Sequence, residues 1–153
     1  MIEFPVITST LSAKELGEFA IEKYSLSKQL QCNLFRSGIN HTYFLTNNKI
    51  KYVIRVYSYN WRSKREISEE LKLLNRLKTN EIAISYPLKD SNGQFIQEIN
   101  APEGIRYMVL FSFAEGEKIR HMNHETLTYI GSLMGRFHKL TLNSTIERET
   151  YNK

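Results

Sequence analysis

Apolar residues recur along the chain in patterns that divide it into helices and strands. Three segments repeat their apolar positions about every 3.6 residues, which predicts helices over 12–24, 63–78 and 124–139. Apolar segments bounded by turn residues predict strands over 31–37, 41–47, 51–58, 94–99 and 106–113, with a further apolar piece at 82–88. The first three strands are joined by short turns rich in glycine and asparagine, which favour antiparallel hairpins. Clustered hairpins with one helix inserted after the third strand predict an α+β fold rather than a doubly wound parallel sheet.

Two serine–glutamate pairs mark the starts of the first two predicted helices. Glu15 follows Ser12 by three residues, and Glu66 follows Ser63 by the same spacing. This is the spacing of a capping box, in which the serine side chain accepts a backbone hydrogen bond and the glutamate reaches back. Both pairs are therefore predicted to cap their helices.

Arg55 interrupts the most regular of the predicted strands. Alternation along this strand places Val53, Arg55 and Tyr57 on one face of the sheet. Taken alone, this pattern is typical of a half-exposed strand whose arginine faces water.

Glu70 changes that interpretation, because it falls inside the apolar stripe of the second helix, beside Leu74 and Leu77. A carboxylate buried without a partner is strongly unfavourable, so burial requires a cation, and Arg55 is the basic residue that interrupts the neighbouring apolar strand. Kinases use a strand cation and a helix glutamate to hold nucleotide phosphates. The alternatives are a purely structural pair and a glutamate that reaches solvent at the helix edge.

Length, charge and cysteine content limit the function classes. The 153 residues suit one domain, or one lobe with part of another, and the net charge is +5. The densest basic cluster, Arg62, Lys64 and Arg65, is typical of a solvated helix start, and no stripe of alternating basic and aromatic residues indicates nucleic acid. No apolar run approaches the ~20 residues of a membrane span. No signal peptide is apparent, and the single Cys32 fits a reducing cytosol, so we expect a cytoplasmic protein.

Taken together, these segments resemble a known family. The resemblance is carried, in order, by GINHTYFLT, YVIRVY, EELKLLNRLK, ISYPL, DSNG, YMVLFSFAEGE and IGSLMGRFHKL. These segments are similar to the amino-terminal part of the aminoglycoside-phosphotransferase and choline-kinase superfamily, nearest its type II homoserine kinase and bacterial stress-response kinase branch. The similarity covers about residues 30–140. It implies a protein-kinase-like ATP-binding N-lobe over 1–113, with an antiparallel sheet of about five strands. An incomplete C-lobe would follow over 114–153.

The resemblance also implies positions that hold the phosphates of ATP. The hairpin turn at Ser37, Gly38 and Asn40 would cover the phosphates with backbone amides, although it contains one glycine rather than a full glycine-rich loop. Arg55 falls where the family usually has a lysine, and its planar fork would hold phosphate with a different geometry. Glu70 matches the glutamate that orients this cation.

The predicted hinge between the lobes runs from Phe111 to Ala114. The resemblance implies that the Ser112 carbonyl and the Ala114 amide meet the edge of adenine, with Phe111 behind it. The alternative for Phe111 and Phe113 is ordinary core packing, which is compatible with the hinge assignment.

The catalytic motifs of the family are missing from the sequence. None of the four histidines, His41, His121, His124 and His138, is followed by Gly-Asp, and no Ile-Asp-Phe segment occurs. We therefore assign no catalytic residue and no metal ligand, and expect Mg²⁺ to be held by the missing lobe. The predicted parent protein transfers the γ-phosphoryl group of ATP to a hydroxyl or amine of a metabolite or antibiotic. The chain alone is expected to bind ATP weakly and to be inactive.

Two other functions remain open at this point. A non-catalytic scaffold or interaction module would use the apolar face of the helix at 124–139 to pair with another chain, and the truncated chain would then self-associate. A basic RNA-binding domain would show salt-sensitive binding to single strands.

Overall fold

The computed structural model describes residues 3–117, 119 and 121–145. The described elements are, in chain order, α1 (Ala13–Lys23), β1 (Gln31–Arg36), β2 (Asn40–Thr46), β3 (Lys51–Tyr57), α2 (Lys64–Thr79), β4 (Ile96–Ala101), β5 (Gly104–Ser112) and α3 (His124–Thr141). Every predicted helix and strand is present, with ends that shift by at most two residues. The apolar piece at 82–88 forms no strand, but Pro87 bridges to Phe111 at the edge of β5.

The five strands form one antiparallel sheet in the order β1-β2-β3-β5-β4, which confirms the α+β architecture. β3 lies at the centre, where Arg55 is opposite Thr42 on one side and Val109 on the other. Because side chains alternate along each strand, this register places Val53 and Tyr57 on the same face as Arg55. Arg55 therefore lies in the middle of the sheet.

One face of the sheet is sealed by α1. Leu16, Ala20 and Tyr24 of this region pack on the alternate strand residues, and all of these side chains are buried. The strand residues in this cluster are Tyr43, Leu45, Ile54, Val56, Met108 and Leu110. This face is the main hydrophobic core.

α2 covers only part of the opposite face. Ile67 and Leu71 of the helix pack on Tyr57, Val109 and Phe111, which together form a second buried cluster. Towards β1 and β2 the same face carries half-buried or exposed aromatic residues rather than packed helix. We refer to this uncovered part, formed by Phe35, Phe44, Val53, Arg55 and Phe113, as the open face.

One of the two predicted capping boxes forms. The Ser63 hydroxyl accepts a hydrogen bond from the Glu66 amide at 3.2 Å, and the Glu66 carboxylate accepts one from the Ser63 amide at 2.9 Å. The prediction for Ser12 was wrong, since its side chain makes no backbone capping bond. Its hydroxyl donates to the Glu15 carboxylate, so the predicted pair is in contact but does not cap the backbone.

α3 has no buried residue, although its predicted apolar face is present. Its Ile130, Leu133 and Phe137 side chains are half-buried, and Arg136 donates to the Asn80 carbonyl at 2.9 Å. None of the described helices is long and apolar enough to cross a membrane.

A close approach between α1 and β1 fixes the position of the helix on the sheet. A Cβ atom at Gly17 would lie 2.5 Å from the Cys32 Cβ, a distance at which one of the two elements must move. Burial also raises the pKa of the Cys32 thiol to about 11, so this contact is made by a neutral thiol at physiological pH. Gly17 is therefore required by packing rather than by backbone conformation.

We predict that Gly17→Ala destabilises the chain by about 1–3 kcal/mol, because the added methyl overpacks the contact with β1. Gly131→Ala in α3 is the matched control, since a Cβ there meets nothing within 4 Å. The control should gain about 0.5–1 kcal/mol from helix propensity. Urea unfolding followed by circular dichroism measures both changes, and equal effects in the two variants would contradict the packing argument.

Candidate functional site

The structure joins the two charges that the sequence singled out. The Arg55 Nη1 atom donates to the Glu70 Oε1 atom at 2.6 Å, linking the central strand to α2. The Arg55 side chain is 35% exposed and that of Glu70 is 39% exposed. The pairing is therefore confirmed, but Glu70 lies at the edge of the apolar stripe, where it also reaches solvent.

Aromatic rings and a hydroxyl surround this ion pair. The Arg55 guanidinium carbon lies 4.9 Å from the centre of the Phe111 ring and 5.9 Å from that of Tyr57. The Tyr57 hydroxyl donates to the second carboxylate oxygen of Glu70, Oε2, at 3.2 Å. A guanidinium stacks on aromatic faces far better than a flexible ammonium does, which gives a physical role to arginine at this position.

The predicted hinge residues lie at the end of β5, beside the open face. The Phe111 side chain is buried against Val109 and the α2 side of the sheet, so both of its predicted roles, core residue and hinge neighbour, are compatible with its position. The Ser112 carbonyl accepts a hydrogen bond from the Ser85 hydroxyl at 2.6 Å. A carbonyl oxygen has two lone pairs and can accept a second bond.

Ala114 follows the strand and is exposed. Within the described part of the chain, its amide makes no hydrogen bond. It is therefore available as a donor at the rim of the open face.

The predicted phosphate hairpin connects β1 to β2 at the opposite end of the open face. Ser37 and Gly38 are exposed, and a Cβ at Gly38 would meet only the Asn40 carbonyl, at 3.9 Å. The hairpin is tied down at two points. The Ser58 hydroxyl donates to the Ile39 carbonyl, and the Ser37 hydroxyl lies 3.2 Å from the His41 Nε2 atom. Among the described residues, the Asn40 Oδ1 atom is buried without a hydrogen-bond partner.

A lysine and two phenylalanines form the hinge end of the open face, and of these only Phe113 belongs to the predicted hinge. The Lys51 Nζ atom lies 4.2 Å from the centre of the Phe44 ring and 4.0 Å from that of Phe113. Lys51 and Phe44 border a concavity of about 340 Å³ that also reaches Glu115. Alternation along β3 puts Lys51 on the same face as Val53, so the sequence could have placed Lys51 on the open face. Its closeness to Phe113 depends on the pairing of β3 with β5.

A buried polar cluster, which sequence reasoning also missed, lies on the sealed face of the sheet and includes His41, the residue after the hairpin. Arg106 is 1% exposed and donates to the Tyr57 carbonyl at 2.9 Å and the Ser9 carbonyl at 2.8 Å. Burial raises the pKa of Glu103, but hydrogen bonds from Ser9 and the charge of Arg106 hold it below its usual range. Burial and the same arginine lower the pKa of His41, so the histidine next to the hairpin is neutral near pH 7.

The described residues offer no metal centre. No three His, Cys, Asp or Glu side chains in the described part of the chain come together as ligands. A surface groove of about 990 Å³ lies beside Tyr59, Trp61 and Tyr107. Neither the Arg55–Glu70 pair nor the hinge borders this groove.

The family is decided by a match that covers most of the chain. The model of the phosphotransferase enzyme family matches residues 31–148. The chain belongs to the phosphotransferase enzyme family. This finding confirms the resemblance drawn from the sequence, and the matched segment contains every predicted ATP-contacting position of this phosphotransferase chain.

Two curated relatives of the phosphotransferase chain are longer proteins. The chain is 34% identical over 113 residues to the uncharacterised protein sll1119 of Synechocystis sp., which covers 74% of this chain and 31% of that protein. It is 28% identical over 126 residues to an uncharacterised protein of Deinococcus radiodurans, which covers 82% of this chain and 36% of that protein. The chain therefore spans about a third of the length of these relatives.

Solved structures of kinases share the fold of the phosphotransferase chain. Amicoumacin kinase, in a complex with AMP-PNP, Ca²⁺ and Ami, has a TM-score of 0.75 and 19% identity, covering 90% of this chain and 42% of that one. A microcompartment-associated aminopropanol kinase has a TM-score of 0.70 and 17% identity, covering 90% of this chain and 45% of that one. A spectinomycin phosphotransferase, with ADP and spectinomycin, has a TM-score of 0.69 and 12% identity, covering 95% and 43%. These likenesses confirm the kinase-like fold.

We predict that Glu103→Gln lowers stability at pH 7 and that the loss disappears in acid. A carboxyl whose pKa is depressed in the folded state stabilises it above the unfolded pKa, and this stability is lost as the pH falls through the folded pKa. Urea unfolding at pH 7 and pH 3 measures the difference between wild type and variant. Glu98→Gln, in an exposed pair with Lys64, is the control and should change little at either pH. A loss that is the same at both pH values would contradict the ionic role of Glu103.

Proposed function

We propose that the chain is the ATP-binding part of a small-molecule kinase, and that the open face holds the nucleotide. The observation that carries this proposal is the Arg55–Glu70 ion pair, which fixes a cation on the open face between the hairpin and the hinge. A guanidinium has five N–H donors, so pairing with Glu70 leaves others for phosphate oxygens. The N-lobe would comprise 1–113, and 114–153 would begin the second lobe.

The two ends of the open face suit the two ends of ATP. Exposed backbone at Ser37 and Gly38 would approach the phosphates, with the side chain of Asn40 beside them. At the other end, the Ser112 carbonyl and the Ala114 amide would bind the edge of adenine. Aromatic and aliphatic side chains between these ends would contact the base.

In this proposal, the described residues do not by themselves complete phosphoryl transfer. Mg²⁺ is expected for this chemistry, and the described residues contain no group of three or more potential ligands that fits it. The chain's residues would position the nucleotide and compensate charge on its phosphates. The base, the metal ligands and the contacts to the acceptor would come from a second lobe. In the longer relatives, about two-thirds of the length lies outside the matched segment.

The acceptor is proposed at the level of its class. The kinases that share this fold are named for amicoumacin, aminopropanol and spectinomycin. We therefore propose a small molecule carrying a hydroxyl or amine as acceptor, in a cytoplasmic protein.

A specific observation supports the second candidate, an interaction module. Leu127, Tyr129 and Met134 of α3 are large apolar side chains that are more than half exposed. Such a face is suited to contact with protein, either a second lobe or a second copy of the chain. Analytical ultracentrifugation with and without Mg-ATP separates the two functions, because an interaction module self-associates independently of nucleotide.

We predict that the 153-residue chain binds Mg-ATP and that Arg55→Ala weakens binding about 10-fold or more, through loss of a charged phosphate contact. Glu70→Ala should weaken binding less, since it leaves Arg55 in place without its partner. Isothermal titration calorimetry measures both affinities. Lys64→Ala is the matched control, because Lys64 also pairs a glutamate, Glu98, but lies away from the open face. Absence of binding by the wild-type chain, or equal losses in the Arg55 and Lys64 variants, would contradict the proposal.

A further inference from the structure

The Glu70 carboxylate is held by two different groups, one at each oxygen. Oε1 accepts from Arg55 Nη1 at 2.6 Å, and Oε2 accepts from the Tyr57 hydroxyl at 3.2 Å. Arg55 and Tyr57 are two positions apart on β3, so both side chains project from the same face of the sheet. The carboxylate is therefore clamped by one strand at both oxygens.

Tyr57 differs from the two charged residues in its surroundings. Its side chain is 1% exposed and packs with Ile67 and Leu71 of α2, whereas Arg55 and Glu70 are each more than a third exposed. Burial and the negative charge of Glu70 raise the pKa of the Tyr57 hydroxyl, so it stays protonated and acts as the donor. The rigid member of the cluster is thus the tyrosine.

An ion pair between two partly exposed, flexible side chains is weakly held by itself, because ordering both chains offsets much of the attraction. A hydrogen bond from a buried, immobile hydroxyl to the same carboxylate removes that freedom from Glu70. An oriented Glu70 then restrains the Arg55 guanidinium, whose carbon lies 4.9 Å from the centre of the Phe111 ring.

We propose that Tyr57 is a positioning residue for the nucleotide clamp: its hydroxyl orients Glu70, and Glu70 orients Arg55 towards the phosphates. This proposal rests on the proposed function of the open face. Tyr57 itself does not touch the nucleotide: its hydroxyl acts through Glu70, while its ring, 5.9 Å from the Arg55 guanidinium carbon, is retained in Tyr57→Phe. Removing only its hydroxyl should therefore loosen the clamp without unpacking the second core cluster.

The test compares two buried tyrosines in the 153-residue chain by calorimetric titration with Mg-ATP. Tyr57→Phe should weaken binding about five- to tenfold, since a hydrogen bond to a charged group is lost. Tyr43→Phe is the matched control: Tyr43 is fully buried on the sealed face, its hydroxyl donates to the Leu11 carbonyl at 2.9 Å, and its loss should leave affinity unchanged. Equal affinities for wild type and Tyr57→Phe would overturn the proposal.

A double variant tests whether Tyr57 acts through Glu70. Tyr57→Phe combined with Glu70→Ala should bind Mg-ATP no more weakly than Glu70→Ala alone, because no acceptor remains at position 70 for the hydroxyl to orient. Full additivity of the two losses would show that Tyr57 acts by another route and would overturn the proposal.

Nuclear magnetic resonance of the arginine side chains gives a readout that needs no nucleotide. The Arg55 guanidinium resonance, identified by its loss in Arg55→Lys, should exchange faster with solvent in Tyr57→Phe and stay unchanged in Tyr43→Phe. If the wild-type chain fails to bind Mg-ATP, the proposed function fails, and this comparison still decides the positioning role. An Arg55 resonance that does not respond to Tyr57→Phe would overturn it.

Discussion

The ion pair between Arg55 of β3 and Glu70 of α2 is the interaction on which the geometry of the open face depends. It joins the most central strand of the sheet to the helix that covers part of that face. The strand holds Arg55 between two hydrogen-bonded neighbours, and the helix brings Glu70 to it because Ile67 and Leu71 anchor α2 on the sheet. The Arg55 cation is thereby held in one place on the open face, whereas a basic side chain on a loop would be free to move.

The different coverage of the two faces of the sheet explains how one small fold can be stable and still present a binding surface. The face under α1 contains most of the buried aliphatic side chains and the close contact at Gly17. The buried Arg106–Glu103 pair ties the amino-terminal segment and the end of β3 to this sealed face. Because stability is concentrated there, the other face can leave Phe44 and Arg55 partly uncovered.

Local patterns were enough to predict the elements and the Arg55–Glu70 pair, because alternation in β3 and the helical stripe of α2 each place a charge where an apolar residue is expected. The sequence could not show the contacts that depend on strand order. Phe113 lies against Lys51 because β5 pairs with β3. In the sequence, Tyr57 has the pattern of an ordinary apolar strand residue, and only the structure shows that its hydroxyl donates to Glu70. The Ser12–Glu15 pair forms a side-chain contact without the backbone cap that its spacing predicts. The hinge and hairpin assignments stay predictions.

Nucleotide binding on the open face can be mapped by the chemical shifts of the ¹⁵N-labelled chain titrated with Mg-ATP. We expect amide shifts to concentrate at Ser37–Asn40, around Arg55 and at Ser112–Ala114, with little change along α1. No shifts at millimolar nucleotide, or shifts concentrated on α1 and the sealed face, would contradict it.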